Sequence, residues 1–159
     1  SLLMQAGGRA GRDAAIGSTS ELWIQTQFPE HDLFAALQTH DYPAFAAQQL
    51  EERAAAGMPP FSHQALVRAE SRDQQQAQDF LNLALHSLQQ YDPLGLVFGY
   101  PAIPMTPQRV ANRERAQMLL ETDQRQALLR LLPILAQLLQ QHRPRGILRW
   151  AIDVDPLAI

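Results

Sequence analysis

The stretch ILRWAIDV, residues 147 to 154, alternates more cleanly than any other in the chain. Leu148, Trp150, Ile152 and Val154 fall on one side, Arg149 and Asp153 on the other, as in a strand with one buried face. Working back from it, Thr122 or Asp123 is placed to cap a long helix that turns Leu128, Leu131, Leu132, Leu135 and Leu138 inward. Pro133 inside that helix lacks an amide donor, which predicts a kink or an early break. AQMLLET (116–122) and LVFGY (96–100) read as strands, with the proline-studded PAIPMTP after the second of them. Residues 74 to 90 form a helix with a stripe of Ala77, Leu81, Ala84, Leu85 and Leu88, and QALVRAE (64–70) is strand-like. The order β-α-β-β-α-β over about 100 residues suits an α+β fold, a ferredoxin-like sandwich of one sheet with two helices on one face.

Upstream the pattern changes. Gly57 before Pro59-Pro60 stops a helix and sets a boundary near Met58, giving domains 1–57 and 58–159. Gly7, Gly8, Gly11 and Gly17 make the opening turn-rich. ELWIQTQ (21–27) alternates as a short strand, and residues 30 to 38 read as a short helix carrying Leu33, Phe34 and Leu37. Asp41 caps the next helix, with Pro43 in its first turn and Tyr42, Phe45, Ala46, Gln49, Leu50 and Arg53 on the helical period.

Composition narrows the chemistry. The chain has 159 residues and a net charge of −3, so no overall field draws it to nucleic acid. All 13 basic residues are arginine, which excludes a phosphate loop built on lysine and any Schiff-base chemistry. The arginines gather at 109/113/115 and 143/145/149, so local basic patches are still expected. With no cysteine there is no disulfide framework and no cysteine zinc site. No apolar run is long enough to cross a bilayer and no leader is expected, which fits a cytoplasmic location. The five histidines form no helical ligand pair, and Asp153 with Asp155 lacks a third partner, so no metal is assigned. No nucleophile–base arrangement suggests a self-contained hydrolase.

The motif QAGGRAGR (5–12) raises the sharper question. Arg9 and Arg12 on a glycine-rich turn are suited to contact a γ-phosphate, with Gln5 orienting a water or a phosphate oxygen. The plainer reading is a glycine-rich turn with surface arginines.

That motif, SELWIQTQFPEH (20–31), HDYPAFAAQQLEERAAAGMPPFSHQALVRAE (40–70) and the terminal LRWAIDVDPL (148–157) together resemble the C-terminal end of the primosomal protein N′ (PriA) family of replication-restart DNA helicases. The likeness runs essentially the whole length of the chain. It implies that residues 1–57 are the end of a second RecA-like lobe with a helical linker, followed by a DNA- and partner-docking domain. The chain would then be a piece of a 3′→5′ helicase that assembles the primosome. Gln5, Arg9 and Arg12 would complete from across a cleft an ATP and magnesium site held by the first lobe, so the piece alone would be inactive. The family's zinc cysteines lie earlier, consistent with none here; Ala6 and Gly7 stand where valine and alanine are usual.

Further roles follow from the same resemblance. Arg113 and Arg115 align with arginines of the family's R-G-R-x-R-W-Q strand entry, which suits either phosphate contact with DNA or a solvated strand end, with Asn112 in place of a glycine and Ala116 in place of an aromatic that could stack on a base. Arg125 aligns with an arginine that holds the acidic tail of single-stranded DNA-binding protein; Leu129 stands where some members have glutamine. Expected partners are forked or single-stranded DNA, that tail and other primosome proteins, with no membrane. The rival reading is a stand-alone ferredoxin-like module that binds RNA or protein and has no ATPase role.

Overall fold

The computed structural model describes Leu3, residues 23 to 39 and residues 41 to 157. Two compact units divide the chain between Ala56 and Gly57. In the first, α1 (Asp32–Thr39) and α2 (Tyr42–Ala55) are joined by a hydrogen bond of 2.9 Å from Gln48 Nε2 to Asp32 Oδ2. Asp41 caps α2 by accepting from the Ala44 amide at 3.0 Å, and Pro43 occupies the first turn, where no intrahelical donor is lost. The strand expected over 21–27 does not form at the described residues 23 to 27. Alternation marks a face that could be buried, but a strand exists only with a ladder partner, and Trp23 is 87% exposed.

The second unit contains β1 (His63–Ser71), α3 (Gln74–Gln89), β2 (Phe98–Gly99), β3 (Ile103–Val110), β4 (Arg113–Thr122), α4 (Arg125–Gln141) and β5 (Ile147–Val154). The sheet runs β2-β4-β1-β5, with β3 also beside β4, and every pair is antiparallel. This is a mixed α/β architecture on an antiparallel sheet, in keeping with the α+β expectation. One sheet face, carrying Ala65, Val67, Ala69, Ala116, Met118 and Leu120, closes the core against α3 and α4. From α3 come Ala77, Phe80, Leu81, Ala84 and Leu88, so Phe80 joins the expected stripe while Leu85 is only partly buried. A buried polar staple ties β1 to the loop before β5: Ser71 Oγ lies 2.8 Å from Gln76 Oε1 and 3.1 Å from the Gly146 carbonyl.

Four expectations are corrected. First, β5 turns Ile147 inward and leaves Leu148 exposed. Ser71 pairs with Ile147 but Glu70 pairs with Arg149, so Leu148 is the extra residue of a bulge that resets the alternation. Second, of the kink or early break expected at Pro133, the break does not occur: α4 runs on to Gln141. Pro133 lies on the exposed side, where water can satisfy the carbonyl that loses its donor, while Leu131, Leu135, Leu138 and Leu139 anchor both halves. Third, the proline stretch is itself strand β3, tolerated because it is an edge and irregular between Pro104 and Arg109, whereas LVFGY contributes only Phe98–Gly99. Fourth, neither Thr122 nor Asp123 is the N-cap of α4; that position is Gln124, and Thr122 Oγ1 instead accepts from the Gln124 amide and donates to the Leu96 carbonyl.

Candidate nucleic-acid interface

Gln5, Arg9 and Arg12 lie outside the described residues. Arg113 and Arg115 open β4, immediately after a two-residue turn whose Ala111 and Asn112 have φ of 50° and 59°. Two successive left-handed residues match the twist of the flanking strands, and asparagine is among the residues that accept that conformation. Asn112 therefore does what a glycine would do at this corner, and its Oδ1 also accepts from Arg109 Nη2 at 3.0 Å.

Register then decides which way each side chain faces. Residues 113, 115, 117, 119 and 121 of β4 point away from the helices, because Ala116, Met118 and Leu120 point into the core. Ala116 is 0% exposed, so an aromatic there would pack inside rather than meet a base. Its replacement costs no stacking surface. Glu114 shares the helix side of the sheet and lies 3.5 Å from Arg109, so it does not sit between Arg113 and Arg115 in space as it does in sequence.

On the helix-free face, Glu70 of β1 pairs with Arg115 on one side and Arg149 on the other. This produces a rung Arg115–Glu70–Arg149 across three strands. Arg113 adds a fourth side chain, with Nη1 3.0 Å from Glu70 Oε2. Arg68, one rung along, lies 3.1 Å from Asp153 and keeps a buried Nε without a hydrogen-bond partner. Four arginines thus share this end of the face with Glu70 and Asp153, and among the described residues no ion pair engages Arg115 or Arg149. A shallow cavity of about 190 Å³ opens between Arg68, Glu70, Arg149 and Trp150. Arg68 and Arg149 were missed as partners of Arg113 and Arg115. Their polar positions in QALVRAE and ILRWAIDV were visible, but not the antiparallel register that brings them together.

The opposite end of the same face is built around Glu121. Its Oε1 accepts from Ser62 Oγ at 3.1 Å and Gln64 Nε2 at 2.8 Å, and its Oε2 from Tyr100 Oη at 3.1 Å. That hydrogen bond and the carboxylate charge raise the Tyr100 phenol above its ordinary value. Tyr100 also makes an edge-on contact with Phe98, ring centroids 4.7 Å apart.

Arg125 and Leu129 stand one turn apart on the exposed side of α4, away from this face. Arg125 Nη2 lies 3.6 Å from Asp155 Oδ2, and Leu129 is 47% exposed. Asp153 and Asp155 are therefore divided between Arg68 and Arg125. Asp155, at φ 51°, turns the chain just before Pro156. Among the described residues no three histidines or carboxylates converge as metal ligands, and no helix is long and apolar enough to cross a membrane.

Comparison with known proteins follows the same lines. The family described as the primosomal protein N C-terminal domain matches residues 54–157. Replication restart protein PriA of Haemophilus influenzae is 33% identical over 155 residues, covering 98% of this chain and 20% of that protein. The protein of the same name from Synechocystis is 31% identical over 157 residues, 99% of this chain and 18% of its own length. The chain spans about a fifth of the length of these curated relatives. With the domain match extending over β1 to β5 and these alignments running nearly end to end, the chain belongs to the PriA family of replication restart proteins.

Proposed function

We propose that the chain is the C-terminal part of a 3′→5′ ATP-dependent DNA helicase that restarts stalled replication forks in the cytoplasm, and that its second unit docks DNA on the helix-free sheet face. The rung Arg115–Glu70–Arg149, with Arg113 beside it, carries this reading. Guanidinium groups on a flat face contact phosphate oxygens in line, and such contacts position a duplex or fork without reading its sequence. A ferredoxin-like description of the unit is supported by the strand order, in which β2 and β3 act as one interrupted strand beside β4. Residues 1–57 would belong to a second RecA-like lobe, with Gln5, Arg9 and Arg12 directed at ATP and magnesium held by the full-length protein. Zinc does not fit the donor set here, since the chain lacks cysteine and the described residues offer no converging ligands; it would be held elsewhere in the parent.

The test is fluorescence anisotropy of a labelled fork with the 159-residue chain over a salt series. Arg115→Ala combined with Arg149→Ala should weaken binding by roughly tenfold per arginine and lower the salt slope by about two. Affinity and slope equal to the parent's would remove the face from the account.

Docking of the acidic tail of single-stranded DNA-binding protein is supported by the exposure of Arg125 and Leu129 and by the carboxylate already facing Arg125. An ion pair this exposed is worth about 1 kcal/mol or less, so an incoming carboxylate can displace Asp155. Asp155→Asn should tighten binding of an acidic peptide ending in Asp-Phe by up to about fivefold, and Arg125→Ala should weaken it. Isothermal titration reads both; two unchanged affinities would exclude the site.

A further inference from the structure

The aromatic pair at the far end of the open face has no role in the phosphate contacts described so far. Phe98 is 61% exposed and Tyr100 42% exposed, although Phe98 lies in β2 and Tyr100 directly follows it with its amide bonded to the Leu119 carbonyl. Their orientation is imposed by the sheet. Gly99 between them faces the core, where a Cβ would collide with Leu85, so Phe98 and Tyr100 must both turn outward. Tyr100 is fixed there by its hydrogen bond to Glu121, whose two other donors hold that carboxylate in place. Outward-facing and packed edge to face, the two rings present apolar surface to solvent.

What covers them is indicated by the rest of the face. Six residue steps along β4 lead from Arg115 to Glu121, about 20 Å at the rise of an extended strand. The ground between is Gln117 and the half-buried Leu119 on β4 and the buried Leu66 beside Leu119 on β1, with no helix of this unit above it among the described residues. A polyanion whose bases are free to stack fits a surface that is cationic at one end and aromatic at the other. A duplex does not, because its base faces are already stacked on one another. We propose that Phe98 and Tyr100 form a base-stacking step for single-stranded DNA, whose backbone runs along the open sheet face from the arginine rung.

This rests on the DNA-docking reading, and the experiment separates the two. The full chain is titrated with a labelled oligothymidylate about 15 nucleotides long, and with an abasic strand of the same length. The parent should prefer the oligothymidylate. Phe98→Ala and Tyr100→Ala should each weaken it by about 5- to 150-fold and leave the abasic strand unaffected, whereas Phe98→Trp and Tyr100→Phe should bind as the parent does. Thermal melting confirms that each variant is folded. Unchanged oligothymidylate binding by both alanine variants would overturn the stacking step while Arg115 and Arg149 still report on docking. Loss of an acidic peptide instead, with oligothymidylate binding intact, would assign the rings to a protein partner and equally overturn it. No binding of any DNA by the parent would sink the docking reading itself.

Discussion

Alanine at Arg12 in the full-length protein should lower ATP turnover by about 10³-fold, with ATP affinity changed far less. Charge spreads over the oxygens of a phosphoryl group in transfer, and a guanidinium placed against them stabilises that state more than the bound nucleotide. Arg12→Lys should recover only part of the loss, because an ammonium lacks the planar fork. Phosphate release at saturating ATP, compared with KM, separates the two effects. A loss confined to KM would make Arg12 a ground-state contact, and no loss would leave QAGGRAGR a surface turn. The chain on its own should not hydrolyse ATP, since it has no lysine from which a phosphate loop could be made.

Leu135→Ala should destabilise the second unit by about 3 kcal/mol, a fall in Tm of roughly 12–24 °C for a unit of this size. Leu135 is 0% exposed on α4 and belongs to the cluster that joins α3, α4 and the sheet. Truncation removes transfer free energy and leaves a cavity that rigid helices on both sides cannot fill. Leu129→Ala, six residues earlier on the same helix, removes an exposed side chain and should change stability by about 0.5 kcal/mol or less. Urea unfolding of the two variants compares them directly. Equal costs would mean that α4 does not present its Leu135 side to the core.

Much of this unit was legible because burial leaves a period in sequence. The helices α3 and α4, and strands β1, β4 and β5, were visible from stripes of apolar residues at helical or alternating spacing. The failures share a cause. The Leu148 bulge, the strand made of prolines and the unbroken passage through Pro133 are each settled by neighbours in space. Local propensity speaks only for the isolated segment. ELWIQTQ has the alternation, yet its described residues 23 to 27 form no strand.

The site was legible in halves for the same reason. Arg113 and Arg115 could be singled out from their strand, and the left-handed corner at Asn112 could be anticipated. Arg149 and Arg68 join them only through an antiparallel register that no local pattern encodes. Glu114, adjacent in sequence to both arginines, points to the other face and pairs with Arg109. Proximity along the chain overstated its influence and concealed that of Arg149.

The most direct measurement is amide chemical-shift mapping of the chain titrated with a short DNA fork. The expected result is a contiguous set of perturbations at Glu70, Arg113, Arg115 and Arg149, spreading toward Phe98 and Tyr100 when the DNA is single-stranded, with the outer sides of α3 and α4 quiet. Perturbations confined to those helices, with the sheet face unmoved, would contradict the assignment of the open face to DNA.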